Sequence, residues 1–277
     1  VVGRGERSEA GLRGTCDRAA TSPSPARGAT GGSQGPGAGL DPELDRTAPG
    51  RRSGPDDPSW IADAAVPYAR LPGVRLLEPL ALRGATAPNR VLFGPHETNL
   101  GWDRSISERH LAYYERRARG GAGVVVCEEA SVHESDWPYE RCPLAAECGP
   151  GWSALAERVH AHGGLAIAAI GHTGGQGASA YSQRELWAPS GVPEVNTREV
   201  PKVVEHDDIA AVVRGFGEAT ALAVASGLDG VEVNAGQNSL VRQFLSGLTN
   251  TRDDVYGTDR TRFAREVLHA VRAAAGD

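Results

Sequence analysis

Gly123-Val124-Val125-Val126-Cys127 is an unbroken apolar run rich in β-branched residues. A strand with one wet face alternates apolar and polar positions. One that does not alternate is covered on both faces, the condition of a strand inside a helix-clad parallel sheet. Parallel neighbours need crossovers of a dozen or more residues, usually helical, and the surrounding pattern supplies them.

Arg90-Val91-Leu92-Phe93 reads as a short buried strand ending at Gly94-Pro95. Ser107 to Arg119 reads as a helix capped by Ser105 or Ser107 and stopped by Gly120-Gly121. Trp152 to His162 is a second helix, and Leu165 to Ile170 a strand that runs into the glycine-rich Gly171 to Gly177. The connection from there to about Glu205 is long enough to suggest an active-site loop. Asp207 or Asp208 caps a long helix with Ile209, Val212, Val213, Phe216, Ala223 and Val224 on one face. Val231 to Val233 is the fourth strand, and about Asp259 to Ala275 the last helix.

Four βα units in a row imply a parallel sheet with right-handed crossovers, either doubly wound or part of a (β/α)8 barrel. A glycine-rich turn after the third strand, not opening directly into a helix, lacks the context of a dinucleotide fingerprint. The barrel, a TIM (β/α)8 fold represented by about its first four units, is the expected α/β architecture. A full barrel has eight strands. The chain is therefore expected to be incomplete, and by itself poorly stable, aggregating or closing its open edges as a homo-oligomer.

Residues 1–58 contain only Val1, Val2, Leu12, Leu40 and Leu44 as large aliphatics among Gly, Pro, Ser and Arg. Such a segment buries too little apolar surface to offset its ordering entropy, so residues 1–60 are expected to be a disordered segment and 61–277 the folded domain. It lacks the apolar core of a signal peptide. No apolar run reaches the ~20 residues of a membrane helix. The charge of −6 and the absence of a basic stripe with interleaved aromatics speak against nucleic acid as a partner. Cys16, Cys127, Cys142 and Cys148 form no CxxC pair, so zinc spacing is missing. Cys127 reads as a small core residue, and Cys142 and Cys148 as loop thiols or a redox pair; a reducing cytoplasm fits this usage.

Several pieces in order then carry a resemblance. Leu77-Glu78-Pro79-Leu80, Asn89-Arg90-Val91 to Gly94-Pro95, His110 to Gly121, Val159 to Gly164 and Gly171 to Gly174 lead to Gln243-Phe244-Leu245-Ser246, Leu248-Thr249-Asn250, Arg252 and Tyr256-Gly257. Together they resemble the Old Yellow Enzyme and 2,4-dienoyl-CoA reductase family of FMN-dependent (β/α)8 oxidoreductases. Gly94 to Asn99 and Val233 to Gln237 look closest to its branch associated with mycofactocin gene clusters.

The resemblance implies FMN over the carboxyl ends of the strands, NAD(P)H as reductant, and hydride transfer to a small-molecule substrate with an activated C=C bond. By position, Gly94, Pro95, His96, Glu97, Glu129 and His172 would line the flavin, and Asn234 and Gln237 would stand where relatives bind the substrate oxygen. Both amides carry N–H donors but neither titrates. An iron–sulfur cluster and FAD are implied only for a longer chain. Three departures bear on catalysis. Glu97 stands where the family carries a small or neutral side chain, and an ionised carboxylate there would disfavour an anionic reduced flavin unless an Arg pairs with it. The Tyr that often supplies a proton falls at Ser239, with solvent or Tyr181 as substitutes. The Gln that usually contacts the flavin falls at Ala169. A non-catalytic flavin- or partner-binding relative is the alternative; a flavin-free barrel enzyme fits the Thr249-Asn250 segment poorly.

Overall fold

The computed structural model of the protein describes residues 75–276. The segment 1–60, expected to be disordered, lies outside the described residues.

A small antiparallel hairpin comes first, β1 (Leu80–Leu82) and β2 (Ala85–Ala87). The main sheet is built from β3 (Leu92–Phe93), β4 (Val124–Ser131), β5 (Leu165–Gly171) and β8 (Gly230–Val233), all parallel and in that spatial order. Between them run α1 (Glu108–Arg119), α2 (Gly149–His160) and α4 (His206–Ala225). The long connection after β5 is not featureless. It holds α3 (Ser179–Ser182) and a second small parallel pair, β6 (Trp187–Ala188) with β7 (Lys202–Val203). After β8 come α5 (Leu240–Leu245), α6 (Val255–Thr258) and α7 (Arg262–Ala275).

The apolar run sits where its pattern requires. Every residue of β4 except Glu129 is buried. Val125 and Cys127 face the helices, in one core with Leu111, Tyr114, Trp152, Leu155, Ile209, Phe216, Phe244 and Phe263. Val124 and Val126 face the other way, packed with Ala87, Ala169, Leu80, Leu165 and Ile167. That inner face carries a hollow of about 320 Å³ lined by Leu80, Val91, Leu92, Val126, Ile167 and Val231, among others. Cys142 and Cys148 are buried and unpaired.

Caps differ in detail from expectation. Ser107 caps α1 by accepting the His110 N–H, and His110 Nδ1 accepts the Ser107 N–H in return. At α4 the cap is Glu205, not Asp207 or Asp208; Asp208 is its box partner, accepting the Glu205 N–H at 2.8 Å. Asp208 is also held by Lys202 at 2.9 Å, which fixes it one turn further in. The last helix starts at Arg262, because Asp259 is used to bind Thr261 and Arg265 outside it.

Candidate functional site

Parallel strands all end on the same side, so the segments that leave them meet there. The cleft at that end has a volume of about 390 Å³. The segment after β3 contributes Pro95, His96 and Glu97; β4 and its following loop contribute Glu129, Pro138, Tyr139 and Cys142. Ala169 and Thr173 come from β5 and its turn, and Glu232, Asn234, Gln237 and Asn238 from β8 and its turn.

Two adjacent glutamates, Glu128 and Glu129, take different roles where β4 bulges between Cys127 and Ala130. Cys127 lies opposite Ala168 and Ala130 opposite Ile170, so three steps on β4 face two on β5. Glu128 is fully buried and accepts from the Thr98 backbone N–H at 2.8 Å, the Thr98 hydroxyl and the Tyr139 hydroxyl at 3.1 Å, with His110 Nε2 at 3.1 Å. Burial works against its charge, but the hydrogen bonds from His110 and Thr98 outweigh it and hold the carboxyl below its ordinary range.

Glu129 faces the cleft. Asn234 Nδ2 donates to its Oε2 at 2.5 Å, and Asn234 Oδ1 accepts the Gly236 N–H at 2.9 Å. Burial, followed by the charge of Asp136, pushes the Glu129 carboxyl up to about 8. Gly171 leaves room for it: a Cβ there would lie 2.4 Å from the Glu129 carboxyl carbon. Glu97 is raised by burial and by the charges of Glu128 and Asp136, and Glu232 by burial. No Arg pairs with Glu97 among the described residues. Tyr139 is raised far above the ordinary phenol range by burial and its buried neighbours.

Six of the eight residues singled out from sequence line this cleft: Pro95, His96, Glu97, Glu129, Asn234 and Gln237. Gly94 adjoins it without lining it, and His172 lies behind it, 2% exposed. His172 Nδ1 accepts the Gly174 N–H at 3.0 Å, and its Nε2 bonds Ser135 Oγ at 3.0 Å. Ser239 is fully buried and donates to the Asn234 carbonyl at 2.7 Å. Tyr181 lies on α3, 45% exposed, outside the lining. Sequence reasoning missed Tyr139 and Glu232, and it missed Glu128 as the anchor of Tyr139. The usable signal was a Glu-Glu pair inside an otherwise apolar strand, since buried carboxylates demand partners.

The residues that carried the resemblance form a clamp beside this cleft. Gln243 ties the glycine-rich turn, donating to the Thr173 carbonyl at 2.8 Å and accepting the Gly175 N–H at 3.0 Å. Asn250, fully buried, donates to the carbonyls of Phe244 and Tyr256. Arg252 reaches the carbonyls of Pro189 and Val204 and pairs with Asp254 at 2.6 Å. A Cβ on Gly257 would come within 1.9 Å of the Arg252 carbonyl, so only glycine fits there.

A model of the NADH:flavin oxidoreductase / NADH oxidase family matches residues 75–277. The chain belongs to this family. It is 33% identical over 211 residues to the N,N-dimethylglycine/sarcosine dehydrogenase of Chromohalobacter salexigens, a match covering 73% of this chain and 30% of that protein. It is 34% identical over 212 residues to the multifunctional alkene reductase/demethylase OYE of Caballeronia cordobensis, covering 73% and 31%. Against the NADPH dehydrogenase of Bacillus pumilus the figures are 29% identity, 71% and 60%. The chain thus spans between about a third and three fifths of the length of these relatives. Among solved structures, morphinone reductase in complex with tetrahydroNAD matches with a TM-score of 0.68 at 28% identity, covering 73% of this chain and 61% of that one.

The cofactor that the family name implies is a flavin, and the cleft suits its ring system. Pro95 and Ala169 offer small apolar surface, Gln237 an amide without another side-chain bond, and Glu97, Glu129 and Glu232 acceptors or, when protonated, donors for a ring edge that has both. No Lys or Arg lines the cleft among the described residues, so a flavin phosphate has no cationic partner within it. Among the described residues no group of three or more His, Cys, Asp or Glu is arranged to hold a metal, and no helix is long and apolar enough to cross a membrane.

Proposed function

We propose that this chain carries the catalytic cleft of an FMN-dependent oxidoreductase that takes electrons from NAD(P)H and reduces an activated C=C bond of a small molecule. The single observation that carries the reading is the convergence of Glu97, Glu129, Asn234 and Gln237 on one cleft at the carboxyl ends of the strands, in a chain of this family.

The bound flavin supplies hydride chemistry; the remaining work falls to side chains. Pro95 and Ala169 form the surface against which the ring would lie. Gln237 is a cleft amide whose N–H donors have no other partner among the described residues, as is its neighbour Asn238; at the position where relatives bind the substrate oxygen, Gln237 carries the contact to a substrate carbonyl or nitro oxygen. Asn234 cannot serve equally, because its donors go to Glu129 and, at 3.4 Å, to the Gln237 carbonyl. It positions Glu129. Glu97 disfavours negative charge on the ring beside it when ionised, and its burial keeps it neutral over a wider pH range.

The test is to load the protein with FMN, bleach the flavin anaerobically with NADH or NADPH, and add an enone. Recovery of the oxidised spectrum with formation of saturated product is expected. Bleaching that no alkene reverses overturns the reading and leaves a flavin carrier. A second reading has its own support: a carboxyl-rich cleft without Lys or Arg suits a cationic amine, and one similar protein is named a dehydrogenase of N-methylated glycines. Bleaching by such an amine without nicotinamide would favour it.

A further inference from the structure

The geometry points to Glu129 as the acid that delivers the proton of the reaction, in the role for which Ser239 is unsuited; this rests on the alkene-reducing reading above. Of the other groups at the site, the His96 ring shares a hydrogen bond with the Tyr113 hydroxyl at 3.0 Å, and the Thr173 hydroxyl is an aliphatic alcohol and as poor an acid as that of Ser239. Ser239 is buried and donates to the Asn234 carbonyl. Tyr139 donates to Glu128, and the Cys142 thiol to the Pro143 carbonyl. Tyr181 stands outside the cleft.

Three carboxyl groups remain, on Glu97, Glu232 and Glu129, and only Glu129 is bonded to Asn234, next to the amide that would hold the substrate oxygen. Its orientation is determined. The Gly236 N–H occupies Asn234 Oδ1, so the amide must turn its N–H toward Glu129 Oε2. A neutral carboxyl that accepts through one oxygen carries its proton on the other. Oε1 has no hydrogen-bond partner among the described residues, and the missing side chain of Gly171 gives the group its seat. The groups facing it from other elements are also acidic: Glu97 after β3, Asp136 after β4 and Glu232 on β8. Burial first, and then these charges, push the carboxyl up to about 8, which favours the protonated form near neutral pH.

The step balances. Reduction of C=C consumes one hydride and one proton, the hydride drawn through the flavin from a nicotinamide. As the β-carbon gains hydride, the π pair moves to the α-carbon and forms a C–H bond with the Glu129 proton. The carboxyl O–H breaks, and the carboxylate that remains is reprotonated by solvent.

Two measurements test this. Infrared difference spectra of the FMN-loaded full chain should contain a protonated-carboxyl C=O band at pH 7 that is absent in Glu129→Gln and that titrates near 8. In single turnovers with an enone, Glu129→Gln should lower the rate of product formation by about 10²- to 10⁴-fold and abolish the pH dependence of that rate near 8. A carboxyl that titrates in the ordinary range, near 4.5, overturns the role in the wild-type protein alone, whether or not the variant folds. Equal turnover in Glu129→Gln overturns it as well. If no alkene reoxidises the wild-type flavin, the alkene reading itself fails, an outcome distinct from both.

Discussion

Between Asn234 and Gly257 the chain passes from the cleft to the clamp, and the two stretches use polar side chains in opposite ways. Gln243, Asn250 and Arg252 bond backbone carbonyls and N–H groups of neighbouring turns, leaving those turns one arrangement. Asn234 and Gln237 border open space, with carboxyl groups opposite them. Most partners of the clamp are backbone atoms, present whatever the neighbouring side chains are. In the cleft, by contrast, the Asn234 amide bonds the Glu129 side chain.

The most damaging substitution should be Arg252→Ala, which removes the ion pair to Asp254 and leaves the Pro189 and Val204 carbonyls without their donor. A loss of about 4 kcal/mol is expected in chemical denaturation. Asn250→Ala should follow at about 3 kcal/mol, since it leaves the Phe244 and Tyr256 carbonyls buried without donors. Losses below ~1 kcal/mol in both would erase the distinction between clamp and cleft.

The two regions should also respond to pH with opposite signs. Asp254 is held far below its ordinary range, first by Arg252 and further by His206 and the Tyr256 N–H. The unfolded chain binds its proton more readily, so its contribution is present above ~4 and is lost as pH falls through the folded value. Glu129 is raised, so the folded state binds the proton more tightly, and stability falls as pH rises from 4.5 to about 8. The effect is on the order of 2 kcal/mol after allowing for partial exposure. Glu129→Gln should flatten the alkaline slope and leave the acid one. A variant that changes both slopes would show that the regions are coupled.

Asn234→Ala should cost about 1 kcal/mol and raise the Glu129 titration above its wild-type position, because the lost hydrogen bond lowers it. NMR or infrared titration measures that directly. Gln237→Ala should leave stability within about 0.5 kcal/mol, so any change it makes to the KM of an enone reports on the cleft alone.

The order of strands and helices was legible because burial on both faces removes alternation from β4, and because Gly120-Gly121 and Gly163-Gly164 end the helices before β4 and β5. Which residues gather at the strand ends was legible by position, since parallel strands end together. The caps were less so: Glu205 has a weak capping preference and is fixed by Asp208 and Lys202. The partners inside the cleft were not legible at all. Tyr139 meets Glu128 only through the fold of the loop after β4, and Asn234 meets Glu129 from 105 positions away.

The sequence by itself determined the parallel α/β pattern, the family and the side of the sheet on which its chemistry sits, because periodicity, glycine stops and the Gln243–Gly257 signature are local. Only the tertiary structure decided that Glu128 is a buried anchor held below its ordinary range and Glu129 a cleft carboxyl pushed above it. The two are identical and adjacent, and a one-residue bulge turns them into different surroundings. Protonation follows from burial and neighbouring charge, which no stretch of sequence contains.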